Sequence, residues 1–110
     1  MTDRLEQLRQ LAAADPEDAL THFLLGREFA TQGLDEEAAG EFRHVLRLQP
    51  RYTAAYRQLG NSLERLSRFE EATGIYRSGV EIAAQTGDLQ AGKEMTAFLK
   101  RLERKSGDQG

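Results

Sequence analysis

Histidines and paired carboxylates are the residues of this chain best suited to chemistry, and there are few of them. His22 and His44 could act as bases or metal ligands, but they fall on different helices and no third ligand type stands beside either. His22 lies on a packing face, where an imidazole with satisfied hydrogen bonds is the preferred reading. The pairs Glu36-Glu37 and Glu70-Glu71 could supply acid/base catalysis. Neighbouring residues on a helix point about 100° apart, however, and both pairs open helices, where negative charge is favourable. With no cysteine in the chain, a thiolate nucleophile, a disulfide and a thiolate metal site are excluded. No glycine-rich phosphate loop, H-E-x-x-H, nucleophile elbow or EF-hand loop occurs. The expectation is a protein without catalytic, metal or cofactor sites.

The elements that carry these residues are those of one folded domain. A length of 110 residues, 39% hydrophobic and 30% charged, suits a single globular core and neither a membrane protein nor a disordered chain. Fifteen Lys+Arg against eighteen Asp+Glu give a net charge of −3, which offers no electrostatic reason for nucleic-acid binding. Met1-Thr2-Asp3-Arg4 runs straight into an amphipathic pattern with no apolar leader, and no apolar run is long enough for a membrane span. A cytoplasmic location is expected, with neither nucleic acid nor membrane as partner.

Apolar residues recur at steps of three and four throughout, and strand-like alternation is missing. Six helices follow. The first is expected over Thr2–Ala14 with Leu5, Leu8, Leu11 and Ala12 as its stripe. Asp15 would cap the second, with Pro16 in its first turn, and Gly33 would end it after Gln32. The third spans Asp35–Leu48. Pro50 would open the fourth, which runs to Leu66, and the fifth starts near Phe69. Gly87-Asp88 reads as a stop followed by a cap, the sixth helix runs to Arg104, and 106–110 should be disordered.

Pro16 and Pro50 lie 34 residues apart, and a shift of 34 brings Leu25-Gly26 onto Leu59-Gly60. It also brings Glu36-Glu37-Ala38 onto Glu70-Glu71-Ala72, Gly40 onto Gly74, Phe42 onto Tyr76 and Arg43 onto Arg77. The chain resembles the tetratricopeptide repeat (TPR) family, whose 34-residue helical hairpin carries W-x2-L-G-x2-Y, then A-x3-F, then P. One copy, 19–52, reads His22-x2-Leu25-Gly26-x2-Phe29, Ala38-x3-Phe42, Pro50; the next, 53–86, reads Tyr56-x2-Leu59-Gly60-x2-Leu63, Ala72-x3-Tyr76. In this frame 2–16 is the second half of a truncated repeat and 88–104 a capping helix, in a register lengthened by two residues that turns Met95 and Leu99 to the core. His22 and His44 fall in opposite parts of the first copy. Ser67 replaces the turn glycine at Gly33 and would be strained by about 1 kcal/mol if left-handed. The recurrence of Gly40 and Gly74 suggests close packing at both.

The resemblance implies an all-α, right-handed α-solenoid, with 1–105 as one domain whose inner wall is lined by the first helix of each hairpin. On that wall the register places Leu20, Phe23, Arg27 and Thr31, then Ala54, Arg57, Asn61 and Arg65, then Lys93, Ala97 and Lys100. Such a wall is basic although the chain is acidic. Arg27, Arg57, Asn61 and Lys93 could hold a carboxylate while Leu20 and Phe23 receive an apolar side chain. Some family members clamp a partner's C-terminal carboxylate with Lys and Asn here; Asn61 and Lys93 match such places, whereas Phe23 stands where the first clamp lysine would be. The reading is a non-catalytic module that binds a protein or peptide segment. The alternative is a structural, self-associating module that dimerises through its end helices or groove. A monomer or weak homodimer is expected.

Overall fold

Two turns one period apart set the entry to the hairpins. Asp18 N donates to the Asp15 carbonyl at 3.2 Å, and Tyr52 N donates to the Gln49 carbonyl at 3.1 Å. Pro16 and Pro50 therefore sit in tight turns ahead of their helices, not in the first helical turn as the sequence suggests. The pyrrolidine ring suits such a turn as well as it suits a helix start. The deciding factor is that side chains take the proline carbonyls: His22 and His44 both reach Pro16 O, and the Tyr56 hydroxyl donates to Pro50 O at 2.7 Å.

The computed structural model describes residues 3–109 and the side chains of 3–105. Its helices are α1 (Arg4–Ala14), α2 (Ala19–Thr31), α3 (Asp35–Leu48), α4 (Thr53–Arg65), α5 (Phe69–Thr86) and α6 (Leu89–Gln109). The expected first helical residue, Thr2, lies outside the described residues, within which Asp3 caps α1 by accepting from Glu6 N at 2.9 Å. Asp18, not Asp15, caps α2 through Leu20 N. Each helix packs on the next in chain order, and α4 also touches α2 and α6. The result is an elongated stack, 49 × 30 × 19 Å, with α2, α4 and α6 in one layer and α1, α3 and α5 in the other. None of these helices is long and apolar enough to cross a membrane.

Close backbone approach explains the repeated Leu-Gly. A Cβ built on Gly26 would stand 2.7 Å from the Phe42 ring, and one on Gly60 2.1 Å from the Tyr76 ring. Both rings are fully buried, as are Ala38 and Ala72. The small residues let two helices close up until one aromatic ring fills the space a side chain would have taken. Gly79 does the same for Met95, whose sulfur would lie 2.4 Å from an added Cβ, a contact the sequence did not suggest. Gly40 and Gly74 are different: beyond the backbone of their own helical turn, no atom of the described residues lies within 4 Å of a Cβ at either. The close packing expected there is absent, because both lie on exposed flanks of α3 and α5.

Ser67 does adopt a positive φ, +60°, in the place where Gly33 has +76°. In α6, Met95 is fully buried and Leu99 packs against the core, as the lengthened register predicts. The backbone of α6 stays helical to Gln109, beyond Arg104 and into the stretch expected to be disordered; Gly110 lies outside the described residues. The last buried side chain is Leu102. Past it, Glu103 pairs with Arg77 at 3.5 Å and Lys105 lies 5.0 Å above the Phe69 ring, and each further residue gains one main-chain bond once a nucleus exists.

Candidate functional site

The outward stripes of α2, α4 and α6 lie side by side and form one wall. On α2 it holds Leu20, 55% exposed, and Arg27, also exposed. Arg27 makes no ion pair among the described residues. With Leu24 and Thr31 it borders a cavity of about 130 Å³, closed on the other side by Arg4 and Glu28, which pair with each other at 3.2 Å. The Thr31 hydroxyl is used locally, donating to the Arg27 carbonyl at 2.9 Å.

Phe23 does not stand on this wall as an open contact. It is buried, with its ring 5.7 Å from Phe42 and 5.1 Å from Tyr52 between centroids. It lies at the edge of the stripe where α4 approaches, and a large aromatic ring gains more from that contact than from solvent.

The polar residues of α4 are engaged with their own protein. Arg57 Nε pairs with Glu94 at 3.4 Å, Arg65 Nε with Asp35 at 2.7 Å, and the Tyr76 hydroxyl reaches Asn61 Oδ1 at 2.7 Å; Ala54 is partly buried against the core. The same hydroxyl donates to Glu64, which also holds Arg101 of α6. Arg101 lies 5.3 Å above the Phe98 ring, itself 5.3 Å from Tyr76. Burial, then the hydrogen bond and charge of Glu64, push the Tyr76 phenol far above its ordinary range. Tyr52 and Tyr56 are also raised, chiefly by burial.

The residues through which α6 pairs with α4 are therefore Glu94 and Arg101, with Phe98 between them against Tyr76 of α5. Lys93, Ala97 and Lys100 point instead along the opposite flank of α6, where they line a groove of about 440 Å³ between α5 and α6. Of the arginines read onto the wall, Arg57 and Arg65 are thus answered by Glu94 and Asp35, Arg27 has no ion pair among the described residues, and Arg101, not read onto it, is held by Glu64. The period places the arginines, but it cannot say which carboxylate of a neighbouring helix turns toward them.

The histidines meet, contrary to the sequence reading. Their rings pack edge to face at 4.3 Å, because the Pro16 carbonyl accepts from both Nε2 atoms, at 2.9 Å from His22 and 3.1 Å from His44. His22 Nδ1 lies 2.7 Å from Glu41 Oε1. This half-buried cluster ties α2, α3 and the Pro16 turn together. No group of three or more His, Cys, Asp or Glu side chains suited to a metal ion occurs among the described residues. Of the paired carboxylates, Glu36 is held by both terminal nitrogens of Arg68, at 3.0 and 2.7 Å, and Glu71 faces Arg43 at 4.0 Å.

Stacked 34-residue helical hairpins with small-to-aromatic contacts define an α-solenoid, and known proteins place it more closely. The chain is 33% identical over 100 residues to a TPR repeat-containing protein of Pseudomonas aeruginosa, a match that covers 91% of this chain and 95% of that one. It belongs to the tetratricopeptide repeat family. Among solved structures, a protein of Bordetella parapertussis is 30% identical with a TM-score of 0.83, over 96% of this chain and 91% of its own. A tetratricopeptide repeat domain protein of Salinibacter ruber is 29% identical with a TM-score of 0.75, over 81% and 90%. The TPR2B domain of yeast Sti1, solved in a complex with pHsp70, shares the fold with a TM-score of 0.85 at 13% identity, over 92% of this chain and 81% of that one. No family model matches the chain.

Proposed function

We propose that this chain is a non-catalytic interaction module that holds a segment of a partner protein on the wall formed by α2, α4 and α6. The observation that carries the reading is the α2 stripe, where an exposed leucine, Leu20, and an arginine in no ion pair among the described residues, Arg27, share one face. An apolar side chain of the partner packs on Leu20 and Leu24, and a carboxylate takes two donors from the Arg27 guanidinium. Arg57, Asn61 and Arg65 shape the wall through their own partners, so the anionic contact rests on one arginine. The complex of the yeast Sti1 domain with pHsp70 supports this use of the fold.

Titration with peptides ending in an apolar residue and a free carboxylate, followed by amide chemical shifts, tests the reading. The shifts should concentrate on 20–31 and 54–65, and Arg27→Glu should weaken binding about tenfold. Shifts confined to α1, α3 and α5, or equal affinity for wild type, Arg27→Glu and Leu20→Ala, would sink it.

A further inference from the structure

Two grooves of this chain are already filled by its own helices. The end of α1 and the side of α2 seat α3, where His44 reaches the Pro16 carbonyl and the Phe42 ring covers Gly26. The end of α3 and the side of α4 seat α5, where Ile75 lies beside Leu46 and the Tyr76 ring covers Gly60. Moving 34 residues on from Leu46, Gln49 and Pro50 reaches Val80, Ala83 and Ala84. The lengthened register of α6 carries Thr53, Tyr56 and Gly60 onto Leu89, Gly92 and Thr96. All six of these residues line the groove of about 440 Å³ between α5 and α6. Exposure agrees: Leu89 is 73% exposed, whereas Ala19 and Thr53, its counterparts beneath α3 and α5, are 3% and 9% exposed.

We propose that this groove is a second docking site, distinct from the α2–α4–α6 wall, and that it takes an amphipathic helix of a partner protein whose apolar stripe is flanked by carboxylates. The floor is apolar, from Val80, Ala83, Ala84 and Leu89, and the rim carries Lys93 and Lys100 against one carboxylate, Asp88, which is engaged in accepting from Ala91 N at 3.2 Å. Neither lysine is in an ion pair among the described residues, so two cations are available to acidic flanks. The floor also sets the pattern of the occupant. Thr96 stands where Gly26 and Gly60 admit an aromatic ring, so the helix is small there. Gly92 stands where His22 and Tyr56 fill the repeats, so the bulk of the helix lies over Gly92.

A second copy of the chain is a poorer occupant. Its α1 is the helix of matching type, but Arg4 holds the place that Ala38 and Ala72, fully buried, hold in α3 and α5. A second copy would therefore bring another cation to a rim that is already positive.

The experiment adds synthetic helical peptides with an Ala/Leu stripe to the full chain and follows its amide shifts. One peptide is flanked by glutamate and its control by lysine. The glutamate peptide should shift Val80, Gly92, Thr96 and Lys100, with the lysine peptide bound at least about tenfold more weakly and Lys93→Glu/Lys100→Glu reversing that preference. Gly92→Leu should abolish binding by filling the groove. A Cβ at Gly92 meets only Ala83 among the described residues, at 3.4 Å, and leucine is the better helix former, so far-UV circular dichroism should show that variant folded. Arg27→Glu should leave this binding unchanged, which separates the groove from the wall. Equal affinity for the two peptides, shifts centred on α2 and α4, or Gly92→Leu binding as wild type overturns the proposal. A dimer in sedimentation that protects the same residues without peptide overturns it in favour of a second copy.

Discussion

Alanine at Gly60 and alanine at Gly40 are the same chemical change in the middle of a helix, and the structure predicts opposite signs. At Gly60 the new Cβ would meet three atoms of the Tyr76 ring, at 2.1, 2.5 and 2.6 Å. That ring is fully buried and its hydroxyl is held by Asn61 and Glu64, so it cannot swing aside without losing those bonds. Overpacking of this kind costs about 1–3 kcal/mol, and the better helix propensity of alanine returns about 1 kcal/mol. With the hydroxyl bonds strained as well, the net loss should be about 2 kcal/mol. At Gly40 the Cβ meets nothing within 4 Å, so only the propensity gain of about 0.5–1 kcal/mol remains. Taking about 4 °C per kcal/mol for a domain of this size, the two variants should melt about 10 °C apart on either side of wild type. Thermal and urea unfolding followed by far-UV circular dichroism measures the difference. Gly60→Ala melting at or above wild type would refute the close-approach argument. So would a loss at Gly60 that persists undiminished when Tyr76 is shortened to leucine.

The raised Tyr76 phenol has a pH consequence. The folded state holds the proton while the unfolded state releases it above about pH 10, so stability should fall as pH rises past that point. Urea unfolding at increasing alkaline pH should show this slope reduced in Tyr76→Phe, and an unchanged slope would exclude Tyr76 as its source. Ser67→Gly should stabilise the chain by about 0.5–1 kcal/mol by removing a left-handed non-glycine residue; a lower melting temperature would mean the serine is not strained. His22→Ala leaves the half-buried Glu41 carboxylate and the Pro16 carbonyl without the ring that joins them, and should cost about 1–2 kcal/mol in the same unfolding assay. No loss there would show that His44 and solvent satisfy both groups.

Much of the scaffold was legible because packing in a repeat recurs at a fixed interval. Leu25-Gly26 and Leu59-Gly60, Ala38 and Ala72, Phe42 and Tyr76 recur 34 residues apart, and each pair occupies the same place in its hairpin. The positive φ at Ser67 and the lengthened register that buries Met95 were legible for the same reason. What failed was the identity of partners across helices. Pro16 and Pro50 were read as helix starts because local rules allow both a start and a turn, and the choice was made by His22, His44 and Tyr56 reaching back to their carbonyls. Gly40 and Gly74 recur like Gly26 and Gly60 yet pack against nothing.

The candidate wall divides along the same line. Helical period and repeat length are enough to say which helices could form it and which cations they carry. The packing of the helices settles that Arg57, Arg65 and Arg101 are answered by Glu94, Asp35 and Glu64 while Arg27 has no ion pair among the described residues, that Phe23 turns inward, and that Lys93 and Lys100 belong to a different groove. The physical reason is that periodicity places a side chain on a face to within a residue or so, whereas an ion pair or a seat for a helix depends on the few ångströms by which neighbouring helices approach.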